Sequence, residues 1–200
     1  GIDQFSVTGH KHALDSDILD ALELGRTASF LSFDTAAARR RIEDLPWIAT
    51  ADIARIFPGQ LAVKVTERHP YAVWRRGDRS YLVDVGGRVL SPVRPELASG
   101  LARIAGDGAA TEAASLHATL ARYPQVLSRL TEAERVGARR WRLHLAGNVT
   151  LELPADREAL VLETLASGGT LSRLLSSSDH IVDLRAPGRI AVRASGIGAL

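Results

Sequence analysis

The 200 residues, 46 % hydrophobic and 24 % charged with 8 Pro, suffice for one large domain or two small ones and exclude a disordered or collagen-like chain. The longest run without Asp, Glu, Lys or Arg is nine residues, as in 143–151, about half of what a membrane-spanning helix needs, so these residues read as soluble. Absence of Cys excludes disulfides, Cys-ligated zinc, iron–sulfur clusters and thiol nucleophiles, and a net charge of +2, split as 8 Lys+Arg against 10 Asp+Glu in residues 1–68 and 17 against 13 in residues 69–200, gives neither part a phosphate-binding surface.

In chain order, residues 2–8 predict a short strand, with Phe5 and Val7 alternating ahead of the turn residue Gly9. A helix is expected next, capped by Asp15 or Ser16, striped by Ile18, Leu19 and Leu22, and stopped by Gly25. After a loop over 26–33, Asp34 should cap a second helix with Ala38, Ile42 and Leu45 on one face, ended by Pro46. Residues 47–57 and 60–67 predict a hairpin joined at Pro58-Gly59, its second strand alternating Leu61, Val63 and Val65 with Lys64 and Thr66. Strand, helix, helix, strand, strand means two helices on one face of a three-stranded sheet. So small a unit is marginal alone.

From residue 69 the texture changes to short strands with glycine turns. Residues 71–75, 81–85 and 88–90 are linked by Gly77-Asp78 and Gly86-Gly87, and 101–105 adds another strand. A helix is expected over 111–122, a further helical turn or two over 126–130, a hairpin of 140–145 with 149–153, and a helix over 156–166. Two last strands, 180–185 and 189–193, meet at Pro187-Gly188. The fold class is therefore α+β, with a domain at 1–68, a mainly antiparallel sheet domain carrying helices at 69–194, and a flexible tail at 195–200.

Little in the sequence points to catalysis or ligand binding. His10 and His12 are two metal-ligand types without a third. Ser178-Asp179-His180 has the residue types of a hydrolase triad but no nucleophile-elbow pattern. Glu132 and Glu134, if helical, diverge and form no acid–base pair, and Gly106-Asp107-Gly108 lacks the rest of a phosphate loop. No cofactor is expected. The 23 Arg against 2 Lys accompany 30 Ala and read as composition bias of a GC-rich genome, with no nucleic-acid partner. Trp47, Trp74 and Trp141 sit at strand ends, where a packed indole with its N–H bonded is expected. The final strand, Arg189-Ile190-Ala191-Val192-Arg193, alternates charge outward with small or apolar side chains inward. With nothing after it to pair with, it should be a sheet edge open to a partner strand.

A set of motifs then resembles a known family. Val7-Thr8-Gly9-His10, Asp15-Ser16-Asp17-Ile18, the run from Ile42 to Ile48 with Leu45-Pro46-Trp47, Phe57-Pro58-Gly59-Gln60-Leu61, Glu67-Arg68-His69-Pro70, Leu82-Val83-Asp84-Val85-Gly86-Gly87 and Val182-Asp183-Leu184-Arg185 are similar to the POTRA region and following β domain of the FtsQ/DivIB family of bacterial cell-division proteins. The resemblance implies a non-enzymatic inner-membrane protein with one upstream transmembrane helix, absent here, and a periplasmic POTRA plus β domain at the septum. The missing Met and the strand starting at once fit a piece of such a protein. It also implies FtsB and FtsL as partners, with further division proteins on the POTRA domain. A strand of FtsB would add to the last edge, so the implied partner-binding residues are Asp183, Arg185, Gly188, Arg189, Ile190, Ala191, Val192 and Arg193, with Arg139, Arg140 and Arg185 facing acidic groups. The turn 186–188 carries no aromatic, and no Trp follows Arg193. Competing readings are a POTRA chaperone for outer-membrane proteins, which usually has tandem units, then a nucleic-acid binder and a cell-wall hydrolase.

Overall fold

The computed structural model describes residues 2–24 and 30–196, and the chain divides into two compact units, Gly1–His69 and Pro70–Leu200. Expectations for Gly25, for residues 26–29 of the loop that follows it, and for 197–200 of the tail lie outside the described residues.

The first unit runs β1 (Gln4–Thr8), α1 (Asp15–Leu22), α2 (Thr35–Glu43), β2 (Ile48–Ile56) and β3 (Gln60–Glu67). Its sheet has the order β1-β3-β2, with β1 parallel and β2 antiparallel to the central β3. The apolar positions of the helices, Ile18, Leu22, Ala38 and Ile42, are fully buried against Val63, Val65 and Ala51. Asp34 caps α2 by accepting from the backbone N–H of Ala36 at 3.0 Å and of Ala37 at 2.9 Å. Neither Asp15 nor Ser16 caps α1. The residue before its first turn is Leu14, whose side chain makes no cap bond, and the Asp15 carboxylate meets Nε2 of His10 at 2.6 Å instead. Glu23, in the left-handed conformation, ends this helix. One oxygen of Glu67 accepts three backbone N–H groups, from Lys11, His12 and Ala13, at 2.7–2.8 Å. Burial pushes this carboxyl up, and the three donors together hold it below its usual value.

The second unit contains β4 (Ala72–Arg76), β5 (Arg79–Val83), β6 (Val89–Pro92), α3 (Pro95–Ala98), β7 (Ala102–Ala105), α4 (Ala109–Leu120), α5 (Pro124–Leu127), β8 (Leu130–Val136), β9 (Arg140–Leu145), β10 (Val149–Glu152), α6 (Glu158–Ser167), α7 (Thr170–Leu175), β11 (His180–Asp183) and β12 (Ala191–Ala194). All nine strands form one sheet in the order β12-β11-β10-β9-β8-β7-β4-β5-β6. Most neighbours are antiparallel, and β4 with β7, β7 with β8, and β10 with β11 are parallel. The β7–β8 and β10–β11 pairs are joined through helical crossovers, the usual connection for parallel strands, whereas the chain from β4 returns to β7 by way of β5, β6 and α3. The helices cover one face, where Leu116, Leu120, Leu162, Leu165 and Leu171 pack onto Leu143, Leu151 and Val182.

Several expectations differ from what forms. Residues 130–136 are a strand, β8, where a helical turn was expected up to 130. Glu132 and Glu134 therefore share one face of a strand instead of diverging around a helix. The helices α3 and α7 were not expected. The last strand begins at Ala191, two residues later than the alternation suggested, because the Arg189 N–H turns back to the Ala186 carbonyl at 3.2 Å. Trp74 donates its indole N–H to the Gly106 carbonyl at 2.9 Å, and Trp141 is buried with the Arg135 guanidinium 5.1 Å from its ring centre.

Gly106, at the end of β7, has φ +90°, and a Cβ there would lie 2.2 Å from the Arg135 carbonyl oxygen of β8. Gly106→Ala should therefore strain the backbone and prise β7 from β8, destabilising the second unit by about 2–5 kcal/mol. A urea unfolding midpoint unchanged from the parent chain would contradict this.

Candidate functional site

The free edge at β12 is built outward from the middle of the sheet. On the helix-covered face one register row joins Ala133, Leu143, Leu151, Val182 and Val192 across β8 to β12. The first four are at most 1 % exposed, whereas Val192 is 56 % exposed. The apolar row runs to the edge and is left uncovered there. All four residues of β12 are exposed, so Val192 shares the face of buried Val182 without being buried itself. Ile190 just before it is 46 % exposed.

Backbone direction follows from the pairing. The Ser195 N–H donates to the Asp179 carbonyl at 3.0 Å, and antiparallel pairs alternate between bonded and non-bonded residues. Ala191, Arg193 and Ser195 thus turn their N–H and C=O groups toward β11. Val192 and Ala194 turn theirs outward, where no strand pairs with β12 among the described residues.

The opposite face of the sheet is a ladder of charges. Glu134, Arg142, Glu152, Asp183 and Ala191 form the next register row. Glu152 is 3 % exposed, accepts from Arg142 Nε at 2.7 Å, and is also paired with Arg140. Burial pushes its carboxyl up, and the hydrogen bonds and charges of the two arginines bring it below the usual range. Arg142 reaches on to Glu134 at 3.1 Å, and Arg75 holds Glu132 at 2.6 Å. The alternation of Glu132 and Glu134 with apolar Ala133, and of Arg140, Arg142 and His144 with Trp141, Leu143 and Leu145, is the signal in the sequence that could have revealed this ladder.

Of the expected partner-binding residues, the structure brings Asp183, Arg185, Gly188, Arg189, Ile190, Ala191, Val192 and Arg193 together at β11, β12 and their connection. Arg139 is exposed in the turn before β9, and Arg140 lies at the start of β9, three strands in from the edge, tied to Glu152. Arg185 grips Asp183 through Nε at 2.9 Å and Nη2 at 2.6 Å. Arg189 and Arg193 are exposed. The two turns at this end are stitched by Asn148, which donates to Asp179 Oδ1 at 2.9 Å and to Ser195 Oγ at 3.0 Å.

The other constellations are spent on packing. His180 Nδ1 faces the Ser178 carbonyl at 3.2 Å, while the Ser178 hydroxyl donates to Asp179 at 2.9 Å. His10 meets Asp15, and His12 lies over Trp47 with ring centres 4.6 Å apart. Sequence reasoning missed an apolar groove of about 400 Å³ between α6 and the β11–β12 connection, lined by Leu160, Val161, Leu165, Leu184 and Ile190 among others.

Three strands with two helices, followed by a sheet ending in an exposed strand, define the class: a POTRA unit followed by a mixed β unit. Residues 1–68 match the family model for the POTRA domain, FtsQ-type, and residues 72–185 match that for cell division protein FtsQ/DivIB, C-terminal. The chain is similar to proteins named cell division protein FtsQ from Bartonella bacilliformis, 33 % identical over 94 % of this chain and 61 % of that protein, and from Rhizobium meliloti, 32 % identical over 96 % and 62 %. A third, from Rhizobium radiobacter, is 30 % identical over 88 % of this chain and 84 % of its own. The chain belongs to the FtsQ/DivIB family of cell-division proteins and spans about three fifths of the length of the first two relatives. The C-terminal family match ends at residue 185, so β12 lies beyond it.

The Arg185 side chain, aided by its backbone N–H and by the charges of Arg185 and Arg193, outweighs burial and brings the Asp183 carboxyl from 3.8 down to about 2. A depressed carboxyl contributes its stability above its ordinary value and loses it as the pH falls toward the lowered one. The pairing that orders the end of β11 should therefore persist down to about pH 4 and melt toward pH 2. Carboxyl carbon shifts should report the low midpoint for Asp183 and its return toward 3.8 in Arg185→Ala. An ordinary midpoint in the parent chain would contradict the pairing.

Proposed function

We propose that this chain is the periplasmic part of a division protein anchored in the inner membrane by a single upstream helix. In this reading it acts without catalysis, as a scaffold that captures a strand of FtsB, within an FtsB–FtsL complex, on the outer side of β12. The observation that carries the reading is the apolar row that ends uncovered at Val192. A strand added there would cover Val192, extend the row by one position and receive the outward N–H and C=O groups of Val192 and Ala194.

Family membership supports a division role, and FtsB and FtsL are the partners that the resemblance implies. The non-catalytic reading is supported by the fate of the suggestive residues: Glu132 and Glu134 are each paired with arginine, and the Ser178 hydroxyl donates to Asp179 while His180 Nδ1 faces the Ser178 carbonyl. Inner-membrane anchoring rests on the family alone; no helix among the described residues is long and apolar enough to cross a membrane. The exposed Arg189 and Arg193 offer charge beside the edge, whereas Arg140 and Arg185 each have an acidic partner in their own chain and Arg139 lies in the turn before β9.

Val192→Pro tests this directly. It removes an outward N–H and leaves the β11–β12 bonds in place, since those use Ala191 and Arg193. Net hydrogen-bond contributions of about 0.5–1.5 kcal/mol, together with the ring's obstruction of the ladder, predict at least a roughly tenfold loss of affinity for the periplasmic FtsB–FtsL complex, measured by titration calorimetry. Affinity equal to that of the parent chain would remove β12 from the interface.

A further inference from the structure

The first unit gathers exposed apolar side chains at one end. The face of its sheet turned away from the helices is polar or small through two register rows, Thr8–Lys64–Asp52 and Ser6–Ala62–Ala54, and becomes apolar only in the last, where Gln4 and Gln60 meet Ile56. Ile56 is 45 % exposed, and Phe57, which opens the β2–β3 turn, is 87 % exposed. Residues 56–63 carry no charge. Arg55, just before them, donates from Nη2 to the Phe33 carbonyl. That bond brings the start of α2 to the same end and with it Leu31, 86 % exposed. Phe57 and Leu31 are the two most exposed large apolar side chains among the described residues. One such side chain alone needs no explanation, but two from separate segments at one end of a small unit mark a contact surface.

What this end faces follows from β1. Gln4 pairs with Gln60, and the Asp3 N–H donates to the Gly59 carbonyl at 2.9 Å. A segment ahead of β1 therefore leaves the unit beside the β2–β3 turn. We propose that this end rests on a lipid surface, with Phe57, Ile56 and Leu31 dipping into the headgroup region of the bilayer that the upstream helix crosses. The proposal rests on the reading that such a helix anchors the protein. Asp3, Asp34 and Arg55 border the apolar side chains, so the seating is shallow, and two carboxylates against one guanidinium give anionic headgroups no advantage. Three apolar side chains hold a free protein to a membrane only weakly, but an anchor beside them makes the encounter intramolecular. Seating then fixes the tilt of the first unit against the membrane, which the anchor alone leaves free.

The chain has no Cys, so Ala54→Cys places a single fluorophore beside the turn, and Lys11→Cys places one next to Glu67, about 25 Å away at the other end of β3. Each labelled chain is tethered through its first residue to vesicles carrying a nitroxide on the headgroups, made either of phosphatidylcholine or of phosphatidylethanolamine with phosphatidylglycerol. The label at 54 should be quenched, equally on both lipids, and the label at 11 should not. Leu31→Ser, Ile56→Ser and Phe57→Ser together should lower the ratio of seated to unseated chain about tenfold or more. Phe57→Leu should retain seating, and thermal melting should be unchanged throughout, since all three positions are exposed. Quenching at 54 that survives the triple substitution, or that occurs on the anionic vesicles alone, would overturn the proposal. A benzophenone crosslinker at position 57 of the full-length protein in cells should join to lipid; joining to a protein instead would give this end a protein partner and overturn it as well. Carbonate extraction of the full-length protein tests the anchor separately. Retention in the membrane without seating at residue 54 leaves the anchor and removes the proposal, whereas release removes the anchor and the proposal with it.

Discussion

A β-strand offers hydrogen-bonding groups along both sides, and the outer side of β12 has no neighbouring strand among the described residues to receive them. Proteins usually blunt such an edge with proline, with charge or with a covering loop. Here the opposite edge, β6, carries Pro92 within the strand, whereas β12 has no proline and presents Val192 at the end of a buried apolar row. Only Arg193 and Arg189 temper it. Exposure of backbone groups and exposure of an apolar side chain coincide at one residue, and that coincidence is what a partner strand would relieve.

Which residues meet solvent at the edge depends on register, and register depends on the charge ladder. A slip of one residue in β10 or β11 would turn Leu151 and Val182 to the polar face and carry Glu152 into the helix-covered core. The three-way contact of Glu152 with Arg140 and Arg142 opposes that slip, since a carboxylate so enclosed is tolerable only with its partners in place. Glu152 and Asp183 are register neighbours in the parallel pair, and their repulsion is offset by arginines on both sides. The alignment of Val192 with Val182 is therefore set as much from the polar face as from the core.

Much of the first unit was legible because its signals are local. Asp34 ahead of Ala38 and Ile42, Pro46 after Leu45, and the alternation of Leu61, Val63 and Val65 each act within a few residues, and each element formed where its signal lay. In the second unit β8 follows α5 so closely that residues at 126–130 carry helical and strand-like spacing together. Only pairing with β7 and β9 decides the matter, and β7 lies beyond two intervening helices in the chain. Arg140 is placed at the interface by the family resemblance, but its acid is Glu152, on the partner strand of the same hairpin. Leu160 and the groove were invisible for the reverse reason: in a helix of ten residues with Leu162 and Leu165 buried, one more leucine reads as core until the packing shows which stripe faces inward.

The central claim is that β12 is completed by a strand from outside the chain. Amide hydrogen exchange of this chain with and without the periplasmic FtsB–FtsL complex tests it most directly, because the outward N–H groups of Val192 and Ala194 are free to exchange until a partner accepts them. The account predicts strong new protection at these two amides, with little change in the already paired Leu143 and Leu151. Protection confined to residues 1–68, with Val192 and Ala194 exchanging as before, would contradict it.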